Sequence, residues 1–136
     1  MYKLSIVTPE KKFYEDEVNS LIAPGSLGYL GILTDHAPLL TELVPGKLTL
    51  KDSQGKEKIF AISGGFLEVL KNNVTILADA IEPAEGIDFK KAEEALKRAN
   101  ERLKSRDENV DVPRAEFALT RALNRIKIFK QVIQGE

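Results

Sequence analysis

The 136-residue sequence has no cysteine, no tryptophan, one histidine and one methionine. The absence of cysteine removes disulfides, thiolate metal sites and cysteine nucleophiles together. A single histidine, His36, excludes any site built on several imidazoles, and no metal site is expected. No apolar run approaches the roughly 20 residues that a membrane-spanning helix needs. Neither sign of charge predominates: 20 basic and 21 acidic side chains leave a formal net charge of −1. Whole-molecule attraction to nucleic acid or to an anionic bilayer is therefore not expected. The opening MYKLSIVTPEKK lacks a basic segment followed by an apolar stretch of about 7–15 residues, and is not read as a secretion signal. A membrane location would have to come through another protein.

At 43% hydrophobic and 30% charged, the chain can bury a core and remain in solution. Its length suits one domain with a small appendage. Up to about Ile81 the pattern is short, β-rich and punctuated. Leu4, Ile6 and Val7 open a first strand that stops at Thr8-Pro9, and Val18, Leu21 and Ile22 lie in a second that ends at Pro24-Gly25. Leu48 and Leu50 alternate with Lys47, Thr49 and Lys51, the period-2 spacing of a strand with one face outward. Asp52-Ser53-Gln54-Gly55 reads as a turn, Gly64-Gly65 as a break between residues 59–62 and 66–70, and Lys71-Asn72-Asn73 as a turn into residues 74–78. Several short strands with regular turn signals predict an antiparallel sandwich or barrel.

Past Pro83 the period changes. Phe89, Ala92, Leu96, Ala99 and Leu103 recur at helical intervals behind Asp88, a natural N-cap. Residues 105–112 are charged and polar and predict a turn. Pro113 suits the first position of a second helix, along which Ala115, Ala118, Ala122, Ile126, Phe129 and Ile133 continue the spacing. The two helices predict an antiparallel hairpin. They also resemble each other: KAEEALKRANERLK (91–104) and RAEFALTRALNRIK (114–127) share eight of fourteen positions. Shared helix-forming composition and internal duplication both account for this. Each helix carries a basic stripe, Lys91, Arg98 and Arg102 on one and Arg114, Arg121 and Arg125 on the other, at steps that keep each trio near one line.

No enzyme constellation emerges. Asp35 and His36 are chain neighbours, whose side chains point apart rather than forming a relay. Ala61-Ile62-Ser63-Gly64-Gly65 resembles a hydrolase nucleophile elbow, but lacks the first glycine and leads into a strand where the elbow leads into a helix. Gly25, Gly28 and Gly31 match neither the dinucleotide fingerprint nor the P-loop. Arg114, in the first turn of its helix, is placed against the macrodipole, at a cost of up to about 1 kcal/mol unless an anion lies nearby. A bound anion or Glu116 in the same turn would each compensate.

Taken together, GYLGILTDHAPLLT (28–41), SGGFLEV (63–69), VTILAD (74–79) and IDFKKA (87–92) resemble the epsilon-subunit family of bacterial F-type ATP synthases, in order and spacing, over nearly the whole chain. The resemblance implies an α+β chain: a ten-stranded β-sandwich head over residues 1–86, followed by a two-helix regulatory hairpin over residues 87–136. It implies a non-catalytic rotor subunit that couples proton-driven rotation to ATP synthesis. Its partners would be the gamma subunit, the ring of c subunits, and the alpha and beta subunits, with no nucleic acid. The complex would hold it peripherally at the cytoplasmic face of the bacterial membrane.

By position, the resemblance makes Tyr29, Leu33 and His36 contacts to the c-ring, with Tyr29 standing where the family usually has glutamate. The family's hairpin is a switch. Folded, it permits ATP hydrolysis; extended, its basic residues meet an acidic segment of the beta subunit and block rotation. Lys91, Arg98, Arg102, Arg114, Arg121 and Arg125 would carry that contact here. No cofactor is required, but some members bind a regulatory ATP on the folded hairpin. Glu82, Ile87, Asp88, Ala92, Arg114, Arg121 and Arg125 match that site, whereas Lys91 stands where arginine belongs and lacks the bidentate fork. Composition and periodicity alone equally allow a stand-alone β-sandwich binding module with a helical oligomerisation tail. The motif set favours the rotor subunit.

Overall fold

The computed structural model describes residues 1–105 and 107–135. The chain divides into two compact units, Met1–Pro83 and Ala84–Glu136. The first is built of seven strands: β1 (Tyr2–Val7), β2 (Lys12–Gly25), β3 (Gly28–Ile32), β4 (Leu39–Asp52), β5 (Glu57–Leu70), β6 (Asn73–Ala78) and β7 (Ile81–Pro83). In β1, Tyr2, Leu4 and Ile6 are buried while the residues between them are not, which is the period-2 pattern read from the sequence. β1 runs antiparallel to β2 and parallel to β6. From β6 the ladder continues through β5 and β4 back to β2, so it closes on itself.

Seven continuous strands stand where ten are implied by the resemblance, and the three 14-residue strands explain the difference. β2 pairs with β1 over residues 12–18, then with β3 and β4 over its second half. β5 pairs with β7 through residues 60–62 and with β6 through residues 65–70, keeping β4 beside it throughout. Each long strand thus passes from one layer to the other, so each layer of the sandwich contains five strands. Gly64-Gly65 does not break β5 but bends it. Gly65 has φ 141, and a Cβ there would collide with the Leu77 carbonyl across the ladder. Between the layers lie Leu4, Ile6, Leu21, Leu48, Leu50, Ile62, Leu67 and Ile76, all fully buried. Each such side chain contributes about 1.5–3 kcal/mol relative to exposure.

The second unit comprises a single 3-10 turn (Ala84–Gly86), α1 (Phe89–Lys104) and α2 (Val112–Val132). Asp88 caps α1 as its position suggests, accepting the Lys91 N–H at 3.0 Å. α2 starts one residue before Pro113, because Asp111 accepts the Arg114 N–H at 3.1 Å and fixes the cap there. Proline, with no N–H of its own to satisfy, sits comfortably inside that first turn. The predicted turn over residues 105–112 therefore ends at Asp111; Arg106 within it lies outside the described residues.

Phe89 at the start of α1 stacks on Phe129 near the end of α2, centroids 5.0 Å apart, so the helices run antiparallel. Ala92, Ala99, Ala115 and Ala122 are buried along the seam. Ile133, read as the last seam residue, is 45% exposed, while Ile128 is buried. The Ala84–Gly86 turn also packs on α2, so this helix buries more than the single face its period reveals.

Candidate functional site

Two regions collect the residues singled out above, one on each unit. On the hairpin, the seam of α1 follows Ala92, Leu96, Ala99 and Leu103. At about 100° per residue, Lys91, Arg98 and Arg102 fall roughly a quarter-turn to one side of it. On α2, Arg114, Arg121 and Arg125 lie about the same angle, in the same sense, from the line through Ala115 and Ala122. Because the helices are antiparallel, both quarter-turns lead to one face of the hairpin. With Phe89 level with Phe129, Lys91 lies level with Arg125, Arg98 with Arg121 and Arg102 with Arg114, to within about 3 Å along the axis. Six cations therefore form three rungs. Lys91, Arg98, Arg102, Arg114 and Arg121 are exposed and Arg125 is half-buried, with the Arg121 guanidinium 5.7 Å from the Phe117 ring centroid.

The opposite face is mixed in charge. There a shallow groove of about 530 Å³ has Phe89, Leu96 and Ile126 along its lining, together with Glu93 and Glu101 as well as lysines. Two carboxylates, Glu93 and Glu101, stand among three ammonium groups, Lys97, Lys104 and Lys130, on this side, whereas the rungs of the other face are cations alone. On the cationic side, crowding of like charges makes a polyanion the complementary ligand, and guanidinium groups can grip carboxylate or phosphate in bidentate fashion.

Other residues named for a nucleotide have definite local roles. Asp88 is engaged as the α1 cap, Ala92 is fully buried in the seam and Ile87 is buried. Glu82 lies in β7, in the first unit. Asp111 is a residue that sequence reasoning missed. Its carboxylate supplies the anion at the N-terminus of α2 that Arg114 called for, a part assigned in the sequence to Glu116 or a ligand. The signal was present, since Asp111 stands three residues before Arg114 just as Asp88 stands before Lys91. The same 23-residue offset relates the caps, the buried alanines and the cations taken in chain order, Lys91 to Arg114, Arg98 to Arg121 and Arg102 to Arg125.

On the β-sandwich, Tyr29 lies on β3 and is 60% exposed, with its hydroxyl oxygen accepting the Lys47 N–H at 3.0 Å. Leu33 (66% exposed) and His36 lie beyond the other end of β3, so about 13 Å of strand separates Tyr29 from Leu33. Leu33 and His36 share one turn, closed by the His36 N–H donating to the Leu33 carbonyl at 3.2 Å. His36 Nδ1 is 2.7 Å from the Ala37 carbonyl oxygen. At the base of this loop the buried Tyr2 hydroxyl donates to the Ile32 carbonyl at 2.8 Å, and burial pushes the Tyr2 phenol well above its ordinary pKa. Ser63, of the elbow-like stretch, lies within β5. Among the described residues no group of three or more His, Cys, Asp or Glu side chains is placed to hold a metal ion.

Residues 1–84 match the family described as ATP synthase, Delta/Epsilon chain, beta-sandwich domain, and residues 85–130 match its long alpha-helix domain. A protein of Desulforamulus reducens named ATP synthase epsilon chain is 47% identical over 92% of this chain and 94% of its own. Its namesake from Moorella thermoacetica is 48% identical over 91% and 92%. Among solved structures, a chain in the OSCP/F1/c-ring assembly of the Euglena gracilis mitochondrial ATP synthase superposes with a TM-score of 0.75 at 29% identity. The superposition covers 86% of this chain and 74% of that one.

Proposed function

The chain belongs to the ATP synthase delta/epsilon chain family, and from that premise we propose that it is the epsilon subunit of a bacterial F-type ATP synthase. In this reading it is a non-catalytic part of the central stalk. Its β-sandwich couples the gamma subunit to the c-ring, and its hairpin restrains ATP hydrolysis. The observation that carries the assignment is the tiling of the chain by the two family domains, 1–84 and 85–130, meeting where the structure changes from strands to helices. No helix among the described residues is long and apolar enough to cross a membrane. The complex would therefore hold the subunit peripherally, at the cytoplasmic face.

For the hairpin, the cationic face is the working surface. Extended along the stalk, it meets an acidic segment of the beta subunit through Lys91, Arg98, Arg102, Arg114, Arg121 and Arg125, which excludes rotation in the hydrolytic direction. Folded, the same face takes the phosphates of a regulatory ATP, with Asp88, Ala92 and Ile87 completing the site. One cationic surface serving two polyanions makes the two states compete. ATP biases the switch only by its differential affinity for the two forms, and a shift from 99:1 to 1:99 takes about 5.5 kcal/mol. Lys91 grips phosphate as a point charge, so Lys91→Arg tightens ATP binding several-fold.

The test is ATP hydrolysis by an epsilon-free bacterial alpha–beta–gamma complex, with added full-length chain or residues 1–86. Full-length protein inhibits, and the truncated head binds without inhibiting. Binding without inhibition by either would retain the subunit assignment and remove the switch; no binding by either would remove both. Separately, calorimetric titration of the isolated chain with millimolar ATP that gives no heat of binding would eliminate the nucleotide site.

A further inference from the structure

The β3–β4 loop that carries Leu33 and His36 is fastened to the β5–β6 turn by a side chain that none of the motifs above includes. The Asp35 backbone N–H donates to Asn72 Oδ1 at 2.7 Å, and Asn72 Nδ2 donates to Asp35 Oδ1 at 2.8 Å. The two residues, 37 apart in sequence, thus form a closed reciprocal pair. Both adopt the left-handed backbone, Asp35 at φ 64 and Asn72 at φ 61, and Lys71 does so too at φ 48. Outside glycine such conformations persist only where their surroundings hold them. Further bonds tie the same end of the sandwich together. The Lys3 N–H donates to the Asn72 carbonyl at 3.1 Å, and the Met1 amine donates to Thr34 Oγ1 at 3.0 Å.

We infer that Asn72 is a positioning residue: its side chain, locked to Asp35, holds the β3–β4 loop in the one conformation that presents Leu33 and His36 to the partner. Its bearing on function rests on the reading above that this loop meets the c-ring. Asp35 is the third residue of the Leu33–His36 turn, a place where positive φ favours glycine or asparagine. An aspartate there needs compensation, and Asn72 supplies it through the Asp35 N–H. The carboxylate in turn orients the Asn72 amide, so each residue fixes the other's unusual backbone.

Three variants of the full chain separate the side chain from the backbone. Asn72→Gly keeps the left-handed turn and removes the pair. Asn72→Asp sets two carboxylates face to face. In the double variant Asn72→Asp with Asp35→Asn, the introduced carboxylate accepts from both the residue-35 N–H and the introduced amide. Hydrogen exchange at the residue-35 and His36 amides should quicken roughly tenfold in both single variants, in line with the loss of one or two hydrogen bonds. It should return close to the starting rate in the double variant, while Leu50 and Ile76 amides keep their protection throughout. Unchanged exchange in Asn72→Gly would overturn the inference, as would a double variant no better protected than Asn72→Asp.

The same variants in the complete synthase, reconstituted in vesicles, report on function through ions pumped per ATP hydrolysed. That ratio falls with loop loosening and recovers in the double variant. A loosened loop with an unaltered pumping ratio leaves the Asn72–Asp35 clamp standing and removes the reading of this loop as the ring contact.

Discussion

In the β-sandwich the fully buried side chains are large and branched, Leu4, Ile6, Leu21, Leu50, Ile62, Leu67 and Ile76 among them, whereas the hairpin seam buries Ala92, Ala99, Ala115 and Ala122. A buried leucine removes several methyl and methylene groups from water; a buried alanine removes one. The sandwich therefore draws its stability from long-range packing between layers. The hairpin draws on terms that are mostly local: helix propensity, two aspartate caps and one aromatic stack. Alanine at the seam brings the two helix backbones close with little to interlock them. A unit built in this way has little apolar packing to lose on separation, which suits the switch proposed above. The sandwich, whose ladder closes through five of its seven strands, has far more packing to lose, which suits the mounting role proposed above.

The comparison can be broken most severely in the sandwich. Leu67→Ala, at a fully buried position, should cost about 2–5 kcal/mol and lower protection across all seven strands together in hydrogen exchange. Loss confined to β5 alone would show that the sandwich is not one cooperative body. Next in size is Ala99→Leu, which overfills the hairpin seam at about 1–3 kcal/mol. Circular dichroism should show lost helix while the strand amides remain protected; loss of both together would end the claim that the units are stabilised separately. Asp111→Ala removes the α2 cap at about 1 kcal/mol, which should appear as faster exchange at Arg114 and Ala115. An unchanged Arg114 amide would return the capping role to another group.

The smallest effect comes from Glu15, an exposed carboxylate of the sandwich. Lys12 and then Lys3 hydrogen-bond to Glu15 and hold its pKa below the ordinary glutamate value. A depressed folded value means stabilisation that is present above the unfolded pKa and lost as pH falls through the folded one. Lys12→Met should therefore raise the Glu15 pKa followed by NMR, and Lys3→Met should raise it less. Because Glu15 and its partners are exposed to screening, either change leaves the melting temperature nearly still. A larger response to Lys3→Met would reverse the ranking of the two contacts.

Much of this molecule was legible in its residues. The alternation of Leu4 and Ile6, the Pro24-Gly25 stop, Asp88 ahead of a helical seam and the change of period after Pro83 all express local preferences, and the structure contains each of them. The errors arose where local signals compete with distant partners. Gly64-Gly65 reads as a break because glycine weakens a strand. It became a bend because β4 stays hydrogen-bonded alongside β5 on both sides of it. Pro113 reads as a helix start, but Asp111 closed the cap first. Ile128 is buried although it lies off the seam pattern, and α2 also packs on the Ala84–Gly86 turn.

The sequence by itself determined the kinds of element, their order, the family and the two basic stripes, because each of these is written in spacings of a few residues. Only the tertiary structure decided that three strands serve two layers, that both stripes meet on one hairpin face, and that Asn72 reaches Asp35. Those outcomes depend on the path by which the chain returns to itself, and no local periodicity encodes which residues meet when it does.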